Sequence, residues 1–594
     1  MPNKADSGKS AMTANPFDWG RQWFDLSIKA QQAMTALLET QTRSGDLPTQ
    51  LTQSASAAFG NMYLSLMRDP VALANAHADL TRQHAEMWQN VFKSGGEGVQ
   101  TETSKPRDRR FRNEEWEKNL ALRTLMHSYM IGAEWLRSLV NKGQLDPDDR
   151  KKVTFFTEQF IDASSPTNFA FTNPDVLKKT IETGAANLVQ GFSNFLDDLL
   201  ANAGHVRRAD NKAFELGVNI AATKGSVVFR NDMMELIQYE PTTETVRDVP
   251  MLLVPPWVNK YYLFDLQQKT SFIGWAIDQG FTVFAISWVN PDVTHADKDF
   301  EDYWLEGPLA AFESIERATG HPKVNLVGYC LGGTLTAAGL AHLSARGDNR
   351  AASGTMIATM TDYAEFGDFE VFVNDESVKT LRAELKQKGY VDQADLSRLF
   401  SLIRANDLIW SSAISSYLLA EDAVPSDLLF WFSDGIGMPA KMLDTFLRDV
   451  MLDNALTKAG ALTIGITPID LERIETPLCF ISLKDDHVAN WESTYRGALR
   501  FKAPKRFILG GSGHNAGTIN PPAARKHGYW TNDGFPADPQ DWLAMAERHE
   551  GSWWTEWAER LKAQSGDTVR ARQVVGGPVP VLEPAPGSYA RMRR

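Results

Sequence analysis

Cysteine is almost absent from this sequence. Only Cys330 and Cys479 occur among 594 residues, and they lie far apart in the chain. Two distant thiols exclude a disulfide-built scaffold and a cysteine-rich zinc or iron–sulfur site. We therefore expect a protein of a reducing compartment such as the cytosol, with no metal ion and no other cofactor.

Long apolar runs and an excess of basic residues are also missing. No run of about 18 apolar residues occurs, so no membrane span is expected. The first ten residues, MPNKADSGKS, lack the apolar core of a secretory signal. Lys and Arg total 61 against 74 Asp and Glu, a net charge of −13. An acidic chain is a poor nucleic-acid binder because that affinity depends on neutralising phosphates, so we expect no nucleic-acid partner.

The apolar pattern divides the first part of the chain into helical regions. Hydrophobic residues make up 43% of the sequence, which suffices for a large core. Residues 1–15 are small and polar and are predicted to be disordered. Amphipathic spacing predicts helices over 16–93 and again over 111–204. The Gly-rich and then basic stretch 94–110 between them predicts a linker.

Residues 205–594 have the pattern of one α/β domain. Short apolar runs bounded by turn residues alternate with helical segments, which indicates a parallel sheet covered on both faces. A mostly helical stretch between GTMIATM and PLCFISL is too long for one crossover, so we predict an inserted cap at about 365–455. The Pro- and Gly-rich tail 576–594 is either an edge strand or disordered, and its composition favours disorder.

The strongest local signal is Gly328-Tyr329-Cys330-Leu331-Gly332, which follows an apolar strand and precedes a helix rich in Ala and Leu. It matches the nucleophile-elbow pattern G-x-S-x-G, with Cys in the Ser position. The helix N-terminus directs free N–H groups at the thiol, which favours the thiolate and supplies one oxyanion donor. A lone cysteine is more often a small buried residue. The flanking strand and helix favour the catalytic interpretation.

A nucleophile elbow requires an acid and then a histidine later in the chain. Four histidines satisfy that order: His487, His514, His527 and His549. His514 lies in a Gly-rich loop directly after the apolar strand of FILGG, which can carry an imidazole to the carboxyl edge of the sheet. His549 lies in the charged stretch AERHEG, which is predicted to be a solvated helix.

The acid candidates are Asp485 and Asp486, directly after the apolar strand PLCFISL. The residues alone do not choose between them, and a pair of aspartates in a turn is also a common helix cap. The nucleophile, the acid and His514 each follow a separate apolar strand in the required order. A second oxyanion donor is expected near Val258, in the loop after MLLV. Cys479 lies inside PLCFISL and is expected to be packed and unreactive.

Together these motifs resemble a known family. GYCLGG, KDDHVANW, GGSGHNAG and VPPWVNKYYLFDL are similar to the patterns of class I polyhydroxyalkanoate (poly-3-hydroxybutyrate) synthases, from about residue 105 to the C-terminus. A cysteine-containing lipase box combined with VPPWVNKYY is not shared by ordinary lipases. The resemblance implies an α/β-hydrolase fold with an inserted helical cap and a helical N-terminal domain.

The resemblance also assigns roles to individual positions. Cys330 matches the nucleophile that holds the acyl chain as a thioester, and His514 matches the base. Asp486, directly before His487, matches the acid, which selects it over Asp485. The backbone amides of Leu331 and Val258 match the oxyanion hole. The side chains of His487 and Arg404 match substrate-binding positions. A surface arginine on a helix is the alternative for Arg404.

The activity implied by the resemblance is polymerisation of (R)-3-hydroxyacyl-CoA, most simply 3-hydroxybutyryl-CoA, into a polyester with release of CoA. It further implies a homodimer, granule-associated protein partners, and a cytoplasmic location at the surface of polyester granules. A Cys-dependent acyl-CoA thioesterase or lipase-like hydrolase would use the same residues. A non-catalytic granule-binding protein would use only the scaffold. The N-terminal helices either pack on the core or bind the granule surface or partners.

Overall fold

The structure is a computed structural model. It describes residues 46–93, 108–201, 213–393, 395–396, 410–422 and 425–593. The stretch predicted to be disordered, 1–15, and most of the predicted linker 94–110 lie outside the described residues. Arg404 lies outside them as well.

The described part of the N-terminal region is helical, as the amphipathic spacing predicts. Its helices are α1 (Asp46–Arg68), α2 (Pro70–Lys93), α3 (Glu115–Lys118), α4 (Leu120–Lys142), α5 (Pro147–Ala163), α6 (Pro174–Thr183) and α7 (Ala186–Ala201). Among the residues that the structure describes, no helix combines the length and the apolar character that crossing a membrane requires.

Asp-Pro and Asn-Pro pairs in this region mark the points where helices begin. The side chain of Asp146 accepts hydrogen bonds from the backbone N–H groups of Asp148 and Asp149, and Pro147 is the first helical residue. An N-cap of this type satisfies donors that the helix itself leaves free. Asn173 caps α6 in the same manner. Both helices therefore begin at an Asp or Asn cap followed by proline.

Every apolar run predicted to be a strand forms one. The strands are β1 (Gly225–Arg230), β2 (Met234–Tyr239), β3 (Thr245–Arg247), β4 (Met251–Val254), β5 (Val283–Trp288), β6 (Val324–Tyr329), β7 (Ala351–Ile357), β8 (Tyr390–Val391), β9 (Met438–Pro439), β10 (Thr463–Ile464), β11 (Thr467–Pro468), β12 (Leu478–Leu483), β13 (Lys505–Gly510), β14 (Tyr529–Thr531), β15 (Glu547–His549), β16 (Thr568–Arg570) and β17 (Glu583–Pro584).

Eleven of these strands form one sheet in the order β15-β14-β13-β12-β7-β6-β4-β5-β2-β1-β17. The central strands, from β13 to β5, pair in parallel. The outer strands pair antiparallel. Because β6, β12 and β13 run in the same direction, the loops that follow them meet at one edge of the sheet. These loops carry Cys330, Asp486 and His514.

The remaining helices cover the two faces of the sheet or lie in the layer inserted between β7 and β12. They are α8 (Phe272–Asp278), α9 (Phe300–Trp304), α10 (Ala310–Thr319), α11 (Leu331–Ala345), α12 (Asp375–Lys388), α13 (Ser411–Ala413), α14 (Asp427–Ser433), α15 (Ala440–Thr445), α16 (Trp491–Leu499), α17 (His514–Thr518), α18 (Pro539–Ala544), α19 (Trp553–Gln564) and α20 (Gly587–Arg591).

The central strands are buried on both faces, which explains their uninterrupted apolar sequences. In β4, Leu252 and Val254 join the core on the side of α11, whereas Met251 and Leu253 join the core on the side of α19. Successive side chains of a strand point to opposite faces, so a strand between two helical layers must be apolar at every position.

The chain between β7 and β12 leaves the sheet and forms a separate layer. It contains α12 to α15 and two short antiparallel pairs, β8 with β9 and β10 with β11. This layer corresponds to the predicted helical cap, and we keep its bounds of about 365–455 as a prediction.

The C-terminal tail is ordered, so the expectation of disorder from its composition is wrong and the alternative, an edge strand, is confirmed by β17. Strand β17 pairs antiparallel with β1, with Ser226 opposite Pro584. Proline is tolerated there because an edge strand leaves one row of backbone groups unpaired. Helix α20 follows and packs beside β2, where the N–H of Tyr589 donates to the carboxylate of Glu235 at 3.1 Å. Tertiary contacts thus order a segment whose own sequence has little preference for helix or strand.

Candidate active site

Cys330 lies at a sharp turn between β6 and α11. Its φ and ψ are 51° and −122°, a left-handed conformation that costs a non-glycine residue roughly 1–3 kcal/mol. The N–H of Cys330 donates to the carbonyl of Ile357 at 2.9 Å, which ties the turn to the neighbouring strand β7. The sequence pattern of a nucleophile elbow is therefore matched by the backbone conformation.

The glycines of the motif are required by close backbone approach. A Cβ at Gly332 would lie 2.2 Å from the carbonyl oxygen of Val254, at the end of β4. A Cβ at Gly328 would lie 2.5 Å from the Cα of Gly333. Both distances are far below van der Waals contact. The absence of side chains lets helix α11 begin directly against the strand that it follows and against the loop after β4.

The amino end of α11 presents a free backbone N–H next to Cys330. Leu331 is the first residue of this helix, so its N–H is not used by the hydrogen bonds of the helix itself. The positive end of the helix dipole also lies here and stabilises a negative charge at the Cys330 sulfur. Val258 follows β4, the strand beside β6, and its loop packs against Gly332. The oxyanion roles of the Leu331 and Val258 amides stay predictions.

His514 and Asp486 form a close buried pair. Nδ1 of His514 lies 2.6 Å from Oδ2 of Asp486. The other carboxylate oxygen, Oδ1, accepts hydrogen bonds from the backbone N–H groups of Val488 at 2.8 Å and Ala489 at 2.9 Å. Asp485 is exposed, whereas Asp486 is buried. The geometry therefore pairs the imidazole with Asp486 and not with Asp485.

Electrostatics at this position favour the imidazolium that forms when His514 takes the proton of Cys330. Burial by itself lowers the pKa of His514, but the charges of Asp486 and Cys330 and the hydrogen bonds to both side chains raise it to about 10. Because Nδ1 is occupied by Asp486, Nε2 is the nitrogen that remains for the Cys330 thiol. The three side chains can thus exchange a proton between the sulfur and the imidazole while the carboxylate holds the ring in place.

Two further side chains, which the sequence analysis missed, support this arrangement. The ring of Tyr329 packs on the imidazole of His514 with centroids 5.2 Å apart, and its hydroxyl donates to Oδ1 of Asn515 at 2.7 Å. These contacts link the elbow to the histidine loop and restrict the orientation of the ring. Both residues are direct neighbours of predicted site residues, which was the signal available in the sequence.

Two other histidines that follow the elbow in the chain, His487 and His549, lie in different surroundings. His487 is half-buried directly after Asp486. His549 lies on β15 rather than on the predicted helix, because its strand pairs antiparallel with β14 at the edge of the sheet. Its Nε2 lies 2.8 Å from the hydroxyl of Thr531. Within the described ranges, no group of three or more His, Cys, Asp or Glu side chains is placed to bind a metal ion.

Cys479 occupies a different environment. It lies in β12 and packs against the core on the side of α19. Burial raises the pKa of the Cys479 thiol to about 12. A thiol that stays protonated at neutral pH is a weak nucleophile. This agrees with the expectation of a packed cysteine.

The fold and the elbow define a class of protein: an enzyme with the α/β-hydrolase fold. The family model described as "alpha/beta hydrolase fold" matches residues 261–521. A second model, described as "Poly-beta-hydroxybutyrate polymerase (PhaC) N-terminus", matches residues 107–276. The predicted fold class is therefore confirmed.

Similar proteins identify the family within that class. A poly(3-hydroxyalkanoate) polymerase of Methylorubrum extorquens is 39% identical over 534 residues, which are 89% of this chain and 88% of that protein. The poly(3-hydroxyalkanoate) polymerase subunit PhaC of Cupriavidus necator is 36% identical over 98% of this chain and 96% of its own length. The chain belongs to the poly(3-hydroxyalkanoate) polymerase family, which confirms the predicted resemblance and an acyltransferase type of enzyme.

Proposed function

We propose that this enzyme polymerises (R)-3-hydroxyacyl groups, delivered as CoA thioesters, into a polyester through a thioester on Cys330. The observation that carries the proposal is the strained Cys330 at the elbow, facing a histidine whose other nitrogen is held by a buried carboxylate. The names of the relatives supply the polymer class. The short-chain substrate 3-hydroxybutyryl-CoA is part of the proposal.

The acylation step follows from the positions of the side chains. Nε2 of His514 removes the thiol proton of Cys330, and the thiolate attacks the thioester carbonyl carbon. The N–H groups of Leu331 and Val258 stabilise the oxyanion, a contribution of about 3 kcal/mol for each donor. The bond to the CoA sulfur then breaks, and CoA leaves with the proton held by His514. Thiolate is suited to this exchange because one thioester replaces another of similar energy.

Elongation requires a base for the hydroxyl of a hydroxyacyl unit. We propose His514, because the carboxylate of Asp486 is already held by three hydrogen bonds and has no exposed surface at which a substrate hydroxyl could reach it. Oδ2 contacts the imidazole, Oδ1 accepts two backbone N–H groups, and the carboxylate is fully buried. The deprotonated hydroxyl attacks an acyl thioester, forms the new ester bond and releases the thiol. Repetition lengthens the polyester.

The predicted partners and domains belong to the same proposal. We propose a homodimer that acts in the cytoplasm at the surface of its insoluble polyester, with granule-associated proteins as further partners. His487 and Arg404 would contact the substrate. The catalytic domain would span 205–594, after helical segments 16–93 and 111–204. Exposed apolar side chains on α1 and α2, among them Tyr63, Met67 and Val71, support a surface role for these helices.

Incubation with 3-hydroxybutyryl-CoA tests the proposed reaction. We expect release of CoA, turbidity from insoluble polyester, and an acyl adduct on the peptide that contains Cys330 in quenched samples. Release of CoA with free 3-hydroxybutyrate in place of polymer would instead establish the thioesterase. Neither product, with no adduct on Cys330, would support a non-catalytic binding protein. Deletion of residues 1–100 tests the N-terminal helices, since unchanged granule attachment would contradict their proposed role.

A further inference from the structure

Lys260 is a buried cation at a point where three parts of the chain meet. Its side chain is 2% exposed. Its Nζ donates to Oδ1 of Asp434 at 2.8 Å and to the backbone carbonyls of Ala590 at 2.8 Å and Met592 at 3.0 Å. An ammonium group has three N–H bonds, and here each one has an acceptor. Because a buried charge is costly unless it is paired, this set of partners fixes the lysine firmly.

Lys260 belongs to the loop that carries Val258. The cap contacts this loop at alternate residues. The N–H of Ile436 donates to the carbonyl of Val258 at 3.1 Å, and the indole N–H of Trp431 donates to the carbonyl of Lys260 at 2.8 Å. Together with the ion pair to Asp434, these bonds join the loop to the end of α14 and the residues after it. The peptide groups next to Val258 therefore depend on the cap for their orientation.

The tail that accepts two of the lysine hydrogen bonds is itself anchored. The hydroxyl of Tyr589 donates to the carbonyl of Asn231 at 2.7 Å, and the N–H of Tyr589 donates to Glu235 at 3.1 Å. The guanidinium of Arg591 donates to the carbonyl of Leu216 at 2.8 Å. The carbonyls of residues 590 and 592 thus belong to a segment held against β2, not to a loose chain end.

We propose that Lys260 is a positioning residue, which fixes the Val258 amide by joining its loop to the cap and to the C-terminal tail. This inference rests on the proposed function, in which the Val258 N–H stabilises the oxyanion. The lysine is buried and all its donors are used, so it cannot bind substrate itself. An oxyanion donor acts in the transition state, so a displaced amide lowers kcat while KM changes little.

The test compares Lys260→Met with a second variant, Lys260→Met/Asp434→Asn. The double variant removes both charges of the buried pair together, because the single variant would leave the carboxylate of Asp434 with only the hydroxyl of Tyr262 at 2.7 Å and the guanidinium of Arg593 at 3.5 Å. Lys441→Met is the matched control, because Lys441 on the cap helix α15 forms an ion pair with Asp299 but is half exposed. Measurements are the melting temperature, kcat and KM with 3-hydroxybutyryl-CoA, and the rate of Cys330 alkylation by iodoacetamide. Alkylation requires the thiolate but forms no oxyanion.

We expect a folded Lys260 variant in which kcat falls by about tenfold or more, up to the roughly 10²–10³-fold cost of losing one oxyanion donor completely. KM and the alkylation rate should stay within about threefold of the parent, and the control should match the parent throughout. Three results would overturn the inference: unchanged kcat, a parallel loss of kcat and alkylation, or failure of both variants to fold. Activity in a Cys330→Ala enzyme would instead refute the proposed function. Failure of the Lys260 inference and failure of the proposed function are therefore distinguishable.

Discussion

Cys330 and Cys479 lie at opposite ends of two parallel strands of one sheet. Cys330 comes directly after the last residue of β6, at the carboxyl edge, whereas Cys479 is the second residue of β12, near the amino edge. The loops after β12 and β13, which carry Asp486 and His514, end at the same edge of the sheet as Cys330. Cys479 is flanked instead by strands β7 and β13 and by helix α19. Cys330 therefore lies beside the imidazole of His514, whereas the charged groups that act on Cys479 are Arg560, Arg506 and Glu556.

Backbone conformation strengthens this difference. Cys330 is held at a positive φ that places its sulfur beside the amino end of a helix, and glycines on both sides permit that turn. Cys479 has ordinary strand geometry and a thiol whose pKa burial raises to about 12. The two thiols thus differ in their surroundings and backbone conformation, although the residue type is the same.

The largest expected effect comes from replacing each of the two cysteines by alanine. Cys330→Ala should abolish polymer formation, because no other group in the site can hold the acyl chain. Cys479→Ala should retain activity within about twofold. The rate of CoA release and the turbidity of the product measure the activity, and circular dichroism shows that each variant is folded. Residual polymerisation by Cys330→Ala would remove this thiol from its proposed role.

The adjacent aspartates offer the second comparison. Asp486→Asn should lower kcat about 10²–10⁴-fold, because the amide can no longer hold the imidazole in the tautomer and orientation that accept the thiol proton. The exposed Asp485 has no such contact, so Asp485→Asn should stay within about twofold of the parent. Steady-state kinetics with 3-hydroxybutyryl-CoA measure both. Equal losses in the two variants would contradict the assignment of the acid.

Features encoded locally could be predicted from the sequence. The strands, the elbow at Cys330 and the order of acid and histidine follow from apolar runs and turn residues, each visible within a short stretch. The choice between Asp485 and Asp486 needed either the family resemblance or the observed hydrogen bond. Secondary structure alone does not decide which of two adjacent side chains points inward.

Features that depend on distant partners could not be predicted. The tail after residue 576 is poor in intrinsic structure, yet β1 and the buried Glu235 order it. In the sequence, Lys260 resembles any lysine in a loop. Its buried role is not visible there, because its hydrogen-bond acceptors come from the cap and from the end of the chain. Residue pairs separated by more than a hundred positions leave no local signal in one sequence.

Chemical modification provides a third comparison of the two thiols. At about pH 8, a thiol of pKa about 12 is roughly 10⁻⁴ thiolate, and thiolate is the form that iodoacetamide attacks. Cys330 should therefore be alkylated at least about 100-fold faster than Cys479, as followed by mass spectrometry of the two peptides. Asp485→Asn should keep this ratio. Equal rates at the two cysteines would show that the elbow does not activate its thiol.

The smallest expected effect concerns stability against pH. The pKa of His514 is raised from 6.5 to about 10 in the folded protein, so the contribution of its partners is complete below about pH 6.5. That contribution is lost as the pH rises through about 10. Asp486→Asn removes the principal partner, so its melting temperature should fall below that of the parent by a few degrees near pH 6, and the gap should narrow towards pH 10.

Cys479→Ala is the control, because the thiol that it removes stays neutral over this range, and its profile of melting temperature against pH should run parallel to that of the parent. A gap for Asp486→Asn that does not change with pH would show that this carboxylate stabilises the fold by its backbone hydrogen bonds alone.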